Sequence, residues 1–134
     1  MRYLLDTDIC IFLMRGQHGI AERMNEAGFS NCAISEITMA ELLTGIQYAR
    51  LKNNGFQDDR IRTFLSTINV IPVSYAIDKF AEEKAHLVRE GRRIEDFDLL
   101  IGCTAVACSM VMVTNNVSHF ERISSIVIEN WAAL

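Results

Sequence analysis

Short apolar runs alternate with longer segments of helical periodicity along the whole chain, and this alternation constrains the fold more than any other feature. Residues 3–5, 32–34, 69–73, 110–113 and 126–128 read as strands. Between them, residues 9–14, 20–26, 38–48, 58–66, 76–90 and 98–109 carry helical patterns, the last apolar nearly all round and therefore buried. Gly28 and Gly91 close the helices that precede them, a polar loop spans 52–57, and Pro72 places the third strand near an edge or at its own end. Strands alternating with helices imply an α/β fold: a parallel or mostly parallel sheet of about five strands, covered on both faces. At 134 residues, the expectation is a single domain over 1–134.

Composition narrows the function classes. Half the residues are apolar and there is a single proline, so the chain can bury a core. The net charge is −4, so a nucleic-acid partner has to be met by a local basic patch. Cys10, Cys32, Cys103 and Cys108 form no Cys-x-x-Cys, nor any zinc-type spacing with His18, His86 or His119, which argues against zinc and haem and for buried thiols in a reducing cytosol. No run approaches the ~18 apolar residues of a membrane span, and the opening "MRYLLDTD" reaches a carboxylate at once, unlike a secretion signal. A cytoplasmic protein is expected.

Chemistry in such sheets gathers at the carboxyl ends of the strands. Asp6 and Asp8 end the first strand, Glu41 lies near the start of the helix after the second, Asp96 and Asp98 open the buried helix, and Thr114-Asn115-Asn116 ends the fourth strand. Each has a structural reading as well. Thr38-Met39-Ala40-Glu41 has capping-box spacing, and the aspartates suit helix N-termini. Three acids at one sheet edge are harder to explain that way, because two like charges ~4 Å apart repel by about 4 kcal/mol at an effective dielectric near 20. A cation between them relieves this. Hard oxygen donors without thiolate or imidazole select Mg²⁺ or Mn²⁺, which supports phosphodiester hydrolysis by lowering the pKa of bound water. On this reading Asp6 and Asp98 are direct ligands, and Glu41 binds a second ion or orients the attacking water.

Four blocks then carry a family likeness: "YLLDTDICIFL", "ISEITMAELLTGI", "EDFDLLIGCTAVA" and "MVMVTNNVSHFERI". In this order, over essentially the whole chain, they resemble PIN-domain ribonucleases, and more closely the VapC-type toxins of type II toxin–antitoxin systems. The resemblance implies a PIN fold with Asp6, Glu41 and Asp98 as the acidic motif and Asp6 and Asp98 at the Mg²⁺ positions. It places Thr7 and Thr114 as supporting hydroxyls. Asn116 stands where many PIN domains carry a fourth acid, which favours one ion with Asn116 in an outer, hydrogen-bonding role. Asp8 matches a polar position after the first acid, whereas Asp58, Asp59 and Asp96 match none and read as caps or solvated charges.

The resemblance also implies an RNA substrate, with structured RNA such as tRNA as a reasonable class, a VapB-like antitoxin seated in an apolar groove, and a homodimer. Ile11, Phe12, Ile20, Met24, Met39, Leu43 and Ile46 could supply that groove, although for any one of them ordinary core packing is the favoured reading. Arg92 and Arg93, just before the Asp98 helix, are candidates for contacting the RNA backbone, as are Arg15, Arg50 and Lys52; Arg60 and Arg62 read as solvated charges. Phe120 reads as a core anchor, and His119 as exposed and without a catalytic role. Two other readings remain. A haloacid-dehalogenase-type phosphotransferase shares the Asp-x-Asp after a strand, but Ile9-Cys10 replaces its usual Gly-Thr pair and no late acidic pair follows Thr114. A PIN-like module that binds RNA or protein without cleavage is the other.

Overall fold

Leu4 and Leu5 are adjacent on one strand, so their side chains point to opposite faces of the sheet, and both are fully buried. A strand with two buried faces needs helices on both sides, and the computed structural model, which describes residues 1–53 and 58–133, supplies them. The strands are β1 (Tyr3–Leu5), β2 (Cys32–Ser35), β3 (Asn69–Ile71), β4 (Val111–Val113) and β5 (Ile128–Glu129). They form one five-stranded sheet in the order β3-β2-β1-β4-β5, with every neighbouring pair parallel. Register follows from this: Leu5 pairs with Val113 across β1 and β4, and Leu4 with Ala33 across β1 and β2.

The helices are α1 (Thr7–Met14), α2 (Ile20–Ala27), α3 (Glu36–Leu51), α4 (Asp58–Thr67), α5 (Ile77–Arg89), α6 (Asp96–Ala107) and α7 (Val117–Phe120). Two cores result. On one face Leu5, Ile34 and Val113 pack with Ile9, Leu42, Phe64 and Trp131; on the other Leu4, Ala33 and Met112 pack with Leu87, Ile101 and Phe120. Gly102 is the tightest point of the second core. A Cβ there would lie 2.3 Å from Ile123 Cδ1 and 3.1 Å from the Phe120 ring, so only glycine lets the segment around α7 close onto α6.

Several element boundaries differ from expectation for local reasons. The helix after β2 starts at Glu36, because the Ser35 hydroxyl caps it by accepting from the Ile37 amide at 2.9 Å. Thr38 therefore sits inside the first turn and is fully buried, and the capping-box reading of Glu41 fails. α1 begins two residues early, at Thr7, because Asp6 is its N-cap. β3 ends at Ile71, and Val73–Ala76 forms a 3₁₀ turn before α5. Of the loop expected over 52–57, residues 54–57 lie outside the described residues.

The apolar-groove candidates divide. Ile20, Met24 and Ile46 are core residues, no more than 2% exposed, while Ile11, Phe12, Met39 and Leu43 are half-buried against that core. Arg60 and Arg62 are exposed, as expected, and each also has a partner: Arg60 donates to the Met14 carbonyl at 2.8 Å and Arg62 pairs with Asp58 at 2.9 Å. Arg50 pairs with the same Asp58, and the two guanidiniums lower its pKa. Asp96 is exposed, as expected of a solvated charge, with Lys84 2.6 Å from it. Among the described residues no helix is long and apolar enough to cross a membrane.

Candidate active site at the switch point of the sheet

The strand order reverses between β1 and β4: from β1 the chain adds β2 and β3 on one side, then returns to lay β4 and β5 on the other. Helices leaving β1 and β4 therefore diverge and open a crevice beyond the carboxyl ends of these strands, the general ligand position in open α/β sheets. Asp6 follows β1 and Thr114 follows β4, so both stand in this crevice.

Asp6 is held from two sides. As N-cap of α1 it accepts from the Thr7 amide at 2.8 Å through Oδ1, and the buried Thr114 hydroxyl donates to Oδ2 at 2.8 Å. Both bonds favour the carboxylate, yet the pKa of Asp6 is raised to about 7. Burial is the largest cause, the neighbouring charge of Asp8 adds to it, and Asp98 contributes further. Asp8 is raised too, first by burial and also by Asp98, although the Asn115 amide donates to its Oδ2 at 3.2 Å. Its other oxygen, Oδ1, is buried and has no hydrogen-bond partner among the described residues.

Glu41 stands in the second turn of α3 and faces α1. The Thr7 hydroxyl donates to Glu41 Oε1 at 2.7 Å and lies 3.1 Å from the Thr38 hydroxyl, which fixes the carboxylate beside the crevice. Asp98 is the third residue of α6 and is about a quarter exposed. Among the described residues no side-chain bond caps α6, so Asp98 is not serving as a helix cap. It faces α7 instead, where His119 Nδ1 lies 3.6 Å from its Oδ2. Asn116 Nδ2 lies 2.9 Å from the same ring nitrogen, and the Asn116 amide donates to Thr114 Oγ1 at 2.9 Å.

Asp8 and Asp98 are thus near enough to raise the proton affinity of Asp6, and Asp98 that of Asp8, with Thr114 and Asn116 behind them. Glu41 reaches the group through Thr7 and does not join it directly. Among the described residues no three acidic, His or Cys side chains stand close enough to enclose an ion as they are. The donor chemistry nonetheless fits a hard divalent cation. Asp6 is buried and Asp8 and Asp98 half-buried at one edge, and among the described residues one Asp8 oxygen has no partner and no Lys or Arg pairs with Asp6, Asp8 or Asp98.

Two residues of this crevice escaped sequence reasoning. Asp8 reads from the sequence as an acid beside Asp6 at the strand end with no ligand role; Asp6 caps α1 and Asp8 lies in its first turn, in the same crevice. His119, expected to be exposed and uninvolved, is half-buried against Asp98. Arg92 and Arg93 are exposed on the segment entering α6, and the Arg93 carbonyl accepts from Arg122. The thiols take no part. Burial raises the Cys10 pKa well above the usual thiol range and that of Cys103 to about 12, so both stay protonated.

A family model described as PIN domain matches residues 3–125, which includes every residue of the crevice. The chain belongs to the PIN-domain family. Within this family of metal-dependent nucleases it is 31% identical to a tRNA(fMet)-specific endonuclease VapC of Shigella flexneri, over 98% of this chain and 99% of that protein. It is 32% identical to Ribonuclease VapC2 of Rickettsia felis, over 98% of each chain. Among solved structures, a DNA-bound VapBC from Salmonella typhimurium superposes with a TM-score of 0.88 at 32% identity, covering 98% of both chains. The five-stranded parallel sheet between helices is the PIN-like fold of such structures, as the alternating pattern implied.

Proposed function

We propose that this PIN-domain chain is an endoribonuclease of the VapC toxin kind, hydrolysing RNA phosphodiester bonds with Mg²⁺, or Mn²⁺ in its place. The observation that carries the reading is the buried Asp6 carboxylate at the switch point with half-buried Asp8 beside it, one Asp8 oxygen having no hydrogen-bond partner among the described residues, and the charge of Asp98 nearby. Asp6 and Asp98 are the residues we assign to the ion, with Asp8 Oδ1 available as a further donor or as an acceptor for its hydration. When bound, the ion neutralises charge developing on the phosphate and acidifies a water.

The chain's own residues supply the rest. Thr114 and the Thr7 amide lock the Asp6 carboxylate, so no rotamer search is needed at binding. Thr7 fixes Glu41 beside the crevice by donating to its Oε1, and we assign Glu41 to accept the proton of the attacking water. Asn116 acts in the outer layer, its amide bonded to Thr114 Oγ1 and its side chain beside His119 Nδ1. Arg92 and Arg93 offer exposed cations to the RNA backbone that a chain of net charge −4 lacks overall.

Relatives named for tRNA cleavage and VapBC assemblies support tRNA as the substrate class and a VapB-like antitoxin as the partner, acting in the cytoplasm. The test is cleavage of total tRNA by the purified chain, abolished by chelator and by Asp98→Asn with the fold retained. RNA binding without cleavage would instead favour a non-catalytic module, and a trapped aspartyl-phosphate on Asp6 a phosphotransferase.

A further inference from the structure

A cleft of about 650 Å³ opens beside the acidic crevice, between the last turns of α5, the segment entering α6, and α7. Its floor is apolar: Leu87, Ile94 and Leu99 line it and are otherwise buried, and Val88, 44% exposed, stands at the mouth. Its rim is charged, with Arg93 and Glu95 exposed and Lys84 tied to Asp96. His119 belongs to both spaces. It lines the cleft, and its Nδ1 is 3.6 Å from Asp98 Oδ2.

We propose that this cleft seats an unpaired nucleobase of the RNA, on a nucleotide flanking the scissile bond; the proposal rests on the ribonuclease reading above. Continuity decides the occupant. A strand whose phosphate lies at Asp6 and Asp98 and that leads past His119 meets there a recess with an apolar floor. Neither phosphate nor ribose gains from such a floor, whereas the flat faces of a base do, and RNA is read chiefly through unstacked bases. The volume lies within the usual range for pockets that bury a small ligand. The rim matches the rest of a nucleotide, because Arg93 can meet the flanking phosphate and the Glu95 carboxylate can accept the N–H groups of a base edge. Among the described residues neither side chain is committed to an ion pair.

The test starts from the bond that the full chain cuts in total tRNA. The hairpin containing it is synthesised intact and with an abasic ribose immediately 5′ or 3′ of the cut, and each is assayed with wild type and with Val88→Glu. This substitution lies on an exposed helical position outside the catalytic crevice. Removing one of the two bases is expected to raise KM about 10- to 100-fold with little change in kcat. Val88→Glu is expected to raise KM comparably on the intact hairpin and to have little further effect on that abasic one. Equal KM for intact and abasic hairpins at both positions, or a Val88→Glu effect of the same size on both, overturns the subsite and leaves the nuclease reading standing. Failure to cut any RNA removes both.

Discussion

The Thr114 hydroxyl donates a 2.8 Å hydrogen bond to Asp6 Oδ2 across the point where the strand order reverses, joining the end of β4 to the end of β1. This bond lowers the pKa of Asp6 while burial, Asp8 and Asp98 raise it. Asp6 is therefore oriented as a ligand before any ion arrives, at a cost borne by the rest of the fold.

Replacing Thr114 by Val keeps the shape and removes the donor. Thr114→Val should raise the pKa of Asp6 further, destabilise the protein by about 1–3 kcal/mol, and weaken divalent-cation binding about 10- to 100-fold. Denaturant titration and calorimetry with Mn²⁺ check the two effects separately.

The raised pKa of Asp6 has a definite sign in stability. Its folded value of about 7 lies above the ordinary 3.8, so the native state holds the proton more tightly than the unfolded chain does. The group's contribution is most favourable below about pH 4 and is lost as pH rises through about 7, on the order of 2–4 kcal/mol in total. Urea denaturation from pH 4 to 8 without metal should show this loss relative to Asp6→Asn, whose profile lacks it. Saturating Mg²⁺ should reverse much of the loss at pH 7–8.

Glu41 and Asp98 should separate into a proton-handling role and an ion-holding role. Glu41→Gln retains the bond from Thr7, and it should leave ion affinity within a few-fold while lowering kcat by about 10²–10⁴. Asp98→Asn should lose both ion binding and cleavage. Parallel calorimetry and single-turnover cleavage distinguish the two variants.

Gly102 couples the second core to the crevice. Gly102→Ala gains helix propensity but drives a methyl into Ile123 and the Phe120 ring, beside His119. A net loss of about 1–3 kcal/mol is expected, together with reduced activity as α7 and His119 shift away from Asp98. A double variant, Gly102→Ala with Ile123→Val, should recover part of each, read by thermal melting and cleavage rate.

These roles were unequally legible in the chain. Asp6 could be read because an apolar strand ending in Asp-Thr-Asp announces both a helix cap and a sheet edge, and cap and site residue prove to be the same side chain. Glu41 was placed one turn too early because Thr38 mimics a cap, whereas Ser35 performs the capping and Thr38 is buried. His119 reaches Asp98 only through the tertiary notch at Gly102, which no local pattern encodes. Periodicity identified Ile20, Met24 and Ile46 as apolar but could not say that they face the core and not a partner.

The cation site at the β1/β4 switch is tested most directly by soaking crystals of this chain in Mn²⁺ and locating the metal by anomalous scattering. The account expects a peak within bonding distance of Asp6 and Asp98 carboxylate oxygens, lost in Asp98→Asn crystals. A well-ordered crevice without metal at saturating Mn²⁺, or manganese bound only elsewhere on the molecule, would contradict it.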